Sequence, residues 1–275
     1  SEVAILYDWD NLWALEDASA YHKSDKEFLN TLLKHYYAFW KQGINVDVVG
    51  ASDDLSKYKI VVAPMLYMVK EDQADNLEKY VRNGGTLVAT YMFGTVEENS
   101  LCYIGGMPGG KLKDVMGILT EEIDTLTPDE KNRVKIVCGR EYDAVDYCEI
   151  IHAKGAKVTG EFECDFYKGS PALTENKYGE GEAHYIAFRD NGDFCIDFYK
   201  MLADRKGIKR NIESELPHGV TVQSRTDGEN EYLFIQNYTP ETVTVDGVNG
   251  VIIPENEKAD GTVTLGGYGV KIVKR

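Results

Sequence analysis

Apolar residues in the first ninety positions follow two rhythms. Val3–Leu6, Val46–Val49, 59–63 and 86–91 are short, mostly apolar runs. Runs of this kind read as strands buried on both faces, as in a parallel sheet. In 26–41, Phe28, Leu29, Leu32, Leu33, Tyr36, Tyr37, Phe39 and Trp40 recur at three- and four-residue spacing. That spacing predicts an amphipathic helix with one broad buried face. Ser24 or Asp25 is placed to cap its start and Gly43 to end it. A polar stretch, 17–24, reads as the loop leading into it. Glu71–Arg82 sets Ala74, Leu77, Tyr80 and Val81 on one helical face and stops at Asn83-Gly84-Gly85. Strand–helix–strand units with right-handed crossovers give parallel strands. The expectation is an α/β fold whose doubly wound sheet is flavodoxin-like or class I glutamine-amidotransferase-like.

From 92 to 157 the pattern weakens. Gly94, Gly105, Gly106, Gly109 and Gly110 mark loops, 111–117 reads as a short helix, and the acidic stretch 120–129 reads as solvated. Strands are expected over 134–138, 156–163, 172–176 and 183–188, the last two joined as a hairpin by Gly179-Glu180-Gly181. A helix over 194–206 ends at Gly207. The polar stretch 210–217 ends in Pro217 and suggests a boundary, giving an α/β domain over 1–212 and an antiparallel β domain over 213–275. In the latter the period switches to two. Val220 and Val222 alternate with polar residues, Asp227-Gly228 marks a turn, and Tyr232, Phe234, Val243, Val245, Val251, Ile253, Val263, Leu265, Val270 and Ile272 supply further strands. A domain of roughly 60 residues holds little core alone, so it should lean on neighbouring structure.

The first strand ends in Asp8, Trp9, Asp10, Asn11 and Trp13. In open α/β sheets ligands gather outside the carboxyl ends of strands, which makes this cluster a candidate pocket. The other reading makes the tryptophans core or interface anchors and the acids caps of a following turn.

Several stretches, taken in order, resemble a known family. They are the run from Val3 through Tyr7-Asp8-Trp9-Asp10-Asn11-Leu12-Trp13 to Glu16, then Pro64-Met65-Leu66-Tyr67, Gly84-Gly85-Thr86-Leu87-Val88-Ala89-Thr90-Tyr91, Pro108 to Ile118, Gly169-Ser170-Pro171-Ala172 and Asn176-Lys177-Tyr178-Gly179-Glu180-Gly181. The series resembles the trimerisation domain of family 42 glycoside hydrolases, the β-galactosidases, and covers nearly the whole chain. The resemblance implies a non-catalytic assembly portion followed by the C-terminal β domain. In the intact enzyme it implies retaining hydrolysis of terminal β-galactosides, with both catalytic glutamates on an N-terminal (β/α)8 barrel. No such barrel can be read in these residues, and no catalytic residue carries over. The implied partners are two further copies in a homotrimer, the barrel, and a galactoside through that barrel. A threefold ring needs a heterologous patch on each subunit. The candidate interface or pocket-wall residues are Asp8, Trp9, Asp10, Trp13, Tyr67, Phe93 and Tyr103, whose aromatics follow strand ends or lie in the glycine-rich loop. Two rivals remain: a free-standing flavodoxin-like or amidotransferase-like enzyme using the Asp8–Trp13 cluster, and a carbohydrate-binding accessory protein using Trp9 and Trp13.

Composition narrows the classes. Hydrophobic residues make up 43% of the 275 positions, enough for a real core. Acids outnumber bases 46 to 30, a net charge of -16, which disfavours a nucleic-acid groove or an anionic membrane surface as partner. Cys102, Cys138, Cys148, Cys164 and Cys195 form no C-x-x-C pair and read as reduced thiols. With no apolar run of membrane-spanning length and no signal peptide, a cytoplasmic location is expected. No cofactor is expected: Lys111 is followed by Leu112, so Gly105–Lys111 lacks phosphate-loop spacing, and no G-x-G-x-x-G follows the first strand. No glycine-flanked Ser or Cys forms a nucleophile elbow after the fourth strand. A pairing of Cys102 with His152 or His184 is not required by spacing, and the scattered histidines argue against a metal.

Overall fold

The computed structural model describes residues 1–19 and 26–275. The expected helix cap at Ser24 or Asp25 lies outside the described residues. In chain order the elements are β1 (Val3–Leu6), α1 (Trp9–Asp17), α2 (Phe28–Trp40), β2 (Val46–Val49), β3 (Ile60–Ala63), α3 (Glu71–Arg82), β4 (Thr86–Thr90), α4 (Leu112–Met116), β5 (Ile118–Thr125), β6 (Asn132–Ile136), β7 (Glu141–Ala153), β8 (Lys157–Phe162), β9 (Pro171–Tyr178), β10 (Gly181–Ile186), β11 (Phe188–Asp190) and α5 (Asp193–Lys206). Then come β12 (Val220–Thr226), β13 (Glu231–Asn237), β14 (Val243–Ile253), β15 (Glu257–Leu265) and β16 (Val270–Lys274).

The chain divides into two compact units, one of 4–35 and 47–197, the other of 1–3, 36–46 and 198–275. The larger unit is built on a mixed sheet of eleven strands, ordered β11-β7-β6-β8-β9-β10-β4-β3-β1-β2 with β5 on β7. Strand β4 runs parallel to both β3 and β10. Every residue of β1, β3 and β4 is buried, which is why these strands read as unbroken apolar runs. The other half of the sheet is antiparallel, with β9 and β10 forming the expected hairpin. One residue separates β10 from β11, and β11 pairs with β7, so this half folds back on itself.

Three expectations fail here. The residues after β1 form helix α1 where only a turn was expected. Asp8 is its cap: Oδ1 accepts from the Asp10 and Asn11 amides at 2.8 and 3.2 Å. The helix buries Asn11, Ala14 and Leu15, too short an apolar stripe for periodicity to reveal. Second, the acidic stretch is largely exposed, as read, but no strand was expected there and it contributes β5, which pairs with the thirteen-residue β7. In β5, exposed Glu121 and Glu122 sit beyond buried Ile118 and Thr120, and a register shift at 120–122 hides the alternation. Third, α2 does not bury its whole apolar side. Phe28, Leu32 and Phe39 are in the core, whereas Leu29, Leu33 and Tyr37, one turn apart, face solvent.

The smaller unit carries a separate five-stranded antiparallel sheet, ordered β12-β13-β16-β14-β15. Its core joins Val220, Val222, Leu233, Ile235, Val245, Val248, Ile252, Val263, Leu265 and Val273 with Ile212. The buried face of β13 is Leu233 and Ile235, the alternates of Tyr232 and Phe234; likewise Ile252 is buried where Val251 is exposed. On the edge strand β12, the Asn211 side chain donates to the Val222 carbonyl at 2.8 Å, and Asn45 pairs with Ser224 Oγ at 2.8 Å.

Candidate assembly surface

The carboxyl ends of β1 and β3 meet at α1. Asn11, fully buried, donates from Nδ2 to the Met65 carbonyl at 3.1 Å and accepts the Met68 amide at 3.0 Å. Asp8 Oδ2 accepts from Gln73 Nε2 at 2.7 Å, and Asp10 pairs with Lys70. The acids and amide of this cluster are therefore spent on capping α1 and tying it to α3 and the loop after β3.

The indoles have the opposite fate. Trp9 and Trp13 are 60% and 58% exposed, one helical turn apart, with ring centroids 6.3 Å from each other. Trp9 stands edge-on to Tyr7 at 5.1 Å, and Tyr7 stacks on Phe28 at 5.9 Å, so the ledge is held from beneath. Beside it, Leu12, Leu15, Phe28 and Leu29 line a cleft of about 470 Å³ between α1 and the start of α2. Trp9 and Trp13 on α1, with Leu29 and Leu33 on α2, are exposed apolar side chains of a chain with net charge -16. Exposed apolar surface of this kind marks contact sites more often than it occurs idly.

The other candidates do not join this ledge. Phe93 and Tyr67 are buried, 1% and 8% exposed, and belong to the core of their own chain. Tyr103 is half-buried: its hydroxyl donates to the Val69 carbonyl at 2.6 Å, and its ring covers Gly109, where a Cβ would lie 2.0 Å from a ring carbon. Fully exposed Ile104 and exposed Leu101 flank Tyr103 in the same loop. His152 bonds Glu121 at 2.6 Å and His184 bonds Glu182 at 3.1 Å, while Cys102 is exposed in its loop. Among the described residues no three His, Cys, Asp or Glu side chains converge as a metal site.

The interior holds polar groups that no sequence pattern announced. Arg189, buried, stacks on Tyr147 at 4.8 Å and donates to Tyr91 Oη at 2.8 Å, Asp146 at 3.1 Å and Thr31 Oγ1 at 3.0 Å. Glu149 accepts the Met92 amide at 3.2 Å and the Tyr185 hydroxyl. Burial pushes its carboxyl up to about 7. Cys195 Sγ donates to Asp190 Oδ1 at 3.3 Å with His35 at 3.9 Å. Burial drives the thiol well up and His35 down to about 4, so the thiol stays protonated and is no nucleophile. Strand alternation alone does not distinguish a buried Glu or Arg from an exposed one, which is why these groups were missed.

The family model of the β-galactosidase trimerisation domain matches residues 1–209, and that of the β-galactosidase C-terminal domain matches 219–275. The chain belongs to the family 42 β-galactosidases. This family 42 chain is 45% identical to β-galactosidase Pbg of Clostridium perfringens across its full length, covering 41% of that relative. It is 37% identical to β-galactosidase BglY of Alicyclobacillus acidocaldarius, again covering 41%. Among solved structures it superposes on Gan42B, a family 42 β-galactosidase from G. stearothermophilus, with TM-score 0.96 and 40% identity, covering 40% of that chain. For the β-galactosidase of Bacillus circulans sp. alkalophilus the values are 0.95, 37% and 41%. The chain thus spans about two-fifths of the relatives it matches. Among its described residues there is no (β/α)8 barrel, and its parallel strands belong to one mixed sheet. Among the described residues no helix is long and apolar enough to cross a membrane.

Proposed function

We propose that this chain is the assembly portion of a β-galactosidase and works as a homotrimer. The observation that carries the reading is the match to a trimerisation domain over 1–209. The ledge of Trp9, Trp13, Leu29 and Leu33 supports it, since buried aromatic anchors dominate interface energies. In the whole enzyme we assign hydrolysis of terminal β-galactosides with retention to an N-terminal (β/α)8 barrel, with the trimer walling its pocket. We keep the division near residue 212 as a functional one, an assembly domain before it and a β domain after it, although 36–46 and 198–212 pack in the same compact unit as the C-terminal sheet. The strand order β2-β1-β3-β4-β10 supports a flavodoxin-like origin for the parallel half. In such folds the ligand crevice lies between β1 and β3, where Asn11 now sits. Five free cysteines suit a reducing compartment such as the cytoplasm.

The test is light scattering after size exclusion at low and moderate salt. A mass three times that of the chain, rising in population as salt screens the -16 charge, is expected. A stable dimer contradicts the threefold reading, and a monomer in both buffers at high concentration means that these residues do not assemble alone. The same material should not cleave a chromogenic β-galactoside. Turnover abolished by mutating an acid of this chain would overturn the non-catalytic assignment.

A further inference from the structure

Glu149 sits on β7, buried, under the turn that follows β4. Its Oε1 accepts the Met92 amide at 3.2 Å, and its Oε2 accepts the Tyr185 hydroxyl. Met92 holds the left-handed conformation, φ 69°, which an unbranched non-glycine residue adopts at a cost. The turn it begins is a junction. Thr95 Oγ1 donates to the Met92 carbonyl at 2.8 Å, Gly94 donates to the Leu66 carbonyl at 2.8 Å, and Gly109 donates to the Gly94 carbonyl at 2.9 Å. Glu149 thus pins the base of a turn that ties the loop after β3 to the glycine-rich segment bearing Tyr103 and exposed Leu101 and Ile104.

The charged groups around it are turned away or engaged. On β10 the facing group is Tyr185, while Glu182 and His184 lie on the other face by strand alternation and bond each other. On β5 the residue opposite Glu149 is Ile123, with Glu122 and Asp124 to either side, and Asp124 accepts the Tyr167 hydroxyl. From β11, Arg189 is committed to Asp146, Tyr91 and Thr31. The Tyr91 hydroxyl before the turn serves Arg189, and on β7 the Tyr147 ring lies under it. A carboxylate offers about four acceptor sites; the two donors it meets here favour its charge, but burial with the remaining sites unfilled outweighs them.

We propose that Glu149 is a proton-operated latch on the Met92 turn: the neutral carboxyl holds the turn closed, and the carboxylate, drawn to water, opens it. The closed-state carboxyl titrates near 7, against 4.5 when hydrated. Opening therefore becomes easier as pH rises from about 4.5 to about 7 and is level above that, by a factor of up to roughly three hundred. This holds for a single chain and does not depend on assembly.

The experiment is hydrogen exchange of the Met92 amide in the full chain from pH 5 to 8.5, referred to intrinsic exchange rates, with ¹³C titration of the Glu149 carboxyl. Met92 protection should fall by one to two orders of magnitude up to about pH 7 and then level. Glu149→Gln should give protection independent of pH. Tyr185→Phe, which removes a donor to the carboxylate, should move the Glu149 midpoint upward. A carboxyl titrating below pH 5 in the folded wild type overturns the proposal whether or not either variant folds. So does Met92 protection that is flat in the wild type, or that falls equally in Glu149→Gln.

Discussion

Asn11 and Met65 are joined by a buried hydrogen bond, Nδ2 to carbonyl, at 3.1 Å across the ends of two neighbouring strands. Because Asn11 also accepts the Met68 amide, one side chain satisfies a donor and an acceptor of the β3 loop that no water reaches. Asn11→Leu should therefore leave both groups orphaned and lower stability by about 2–4 kcal/mol. Denaturant unfolding at neutral pH measures this. A loss under 1 kcal/mol would show that the loop finds other partners.

Trp13 makes the opposite prediction. It is more than half exposed, so Trp13→Ala should change the unfolding free energy of the isolated subunit by less than about 1 kcal/mol. If the ledge is the assembly surface, the same change should weaken association by about 2–4 kcal/mol. Sedimentation at graded concentrations separates the two effects. Unchanged mass in Trp13→Ala would remove that residue from the interface.

His35 makes stability fall in acid. Its folded-state value, about 4, lies below the ordinary 6.5 because burial disfavours the cation. The unfolded chain therefore binds the proton first, and stability is lost as pH falls from 6.5 towards 4, by about 2–3 kcal/mol for this group. Glu149 acts with the opposite sign over much of the same range, so the wild-type profile mixes the two. The difference between wild type and His35→Gln isolates the His35 contribution. A pH-independent difference would mean that His35 titrates normally.

The C-terminal sheet borrows groups from outside 213–275. Asn45, Asn211 and Ile212 complete its edge strand and its core. The isolated 213–275 segment should melt broadly, or fail to fold, by calorimetry. A sharp cooperative transition would show that its own strands suffice.

The parallel strands, the α3 helix, the β9–β10 hairpin and the β character of the C-terminal segment were all legible in the sequence, because each is written in local periodicity. Val3–Leu6 and 86–90 are buried on both faces whatever surrounds them, so composition alone identifies them. Helix α1 was illegible because its cap, Asp8, and its buried amide, Asn11, serve partners about 54 to 65 residues away. The acids and indoles of that stretch look alike in sequence as one polar-aromatic cluster. Folding parts them, with the acids and Asn11 tied to α3 and the β3 loop while Trp9 and Trp13 are left in solvent. The same holds for Leu29 and Leu33, which share the periodicity of Leu32 yet lie off the face that meets the core. Which apolar side of a helix is covered depends on what packs against it. Hydrophobic spacing sets the stripe, but its neighbours in three dimensions set how much of the stripe is used.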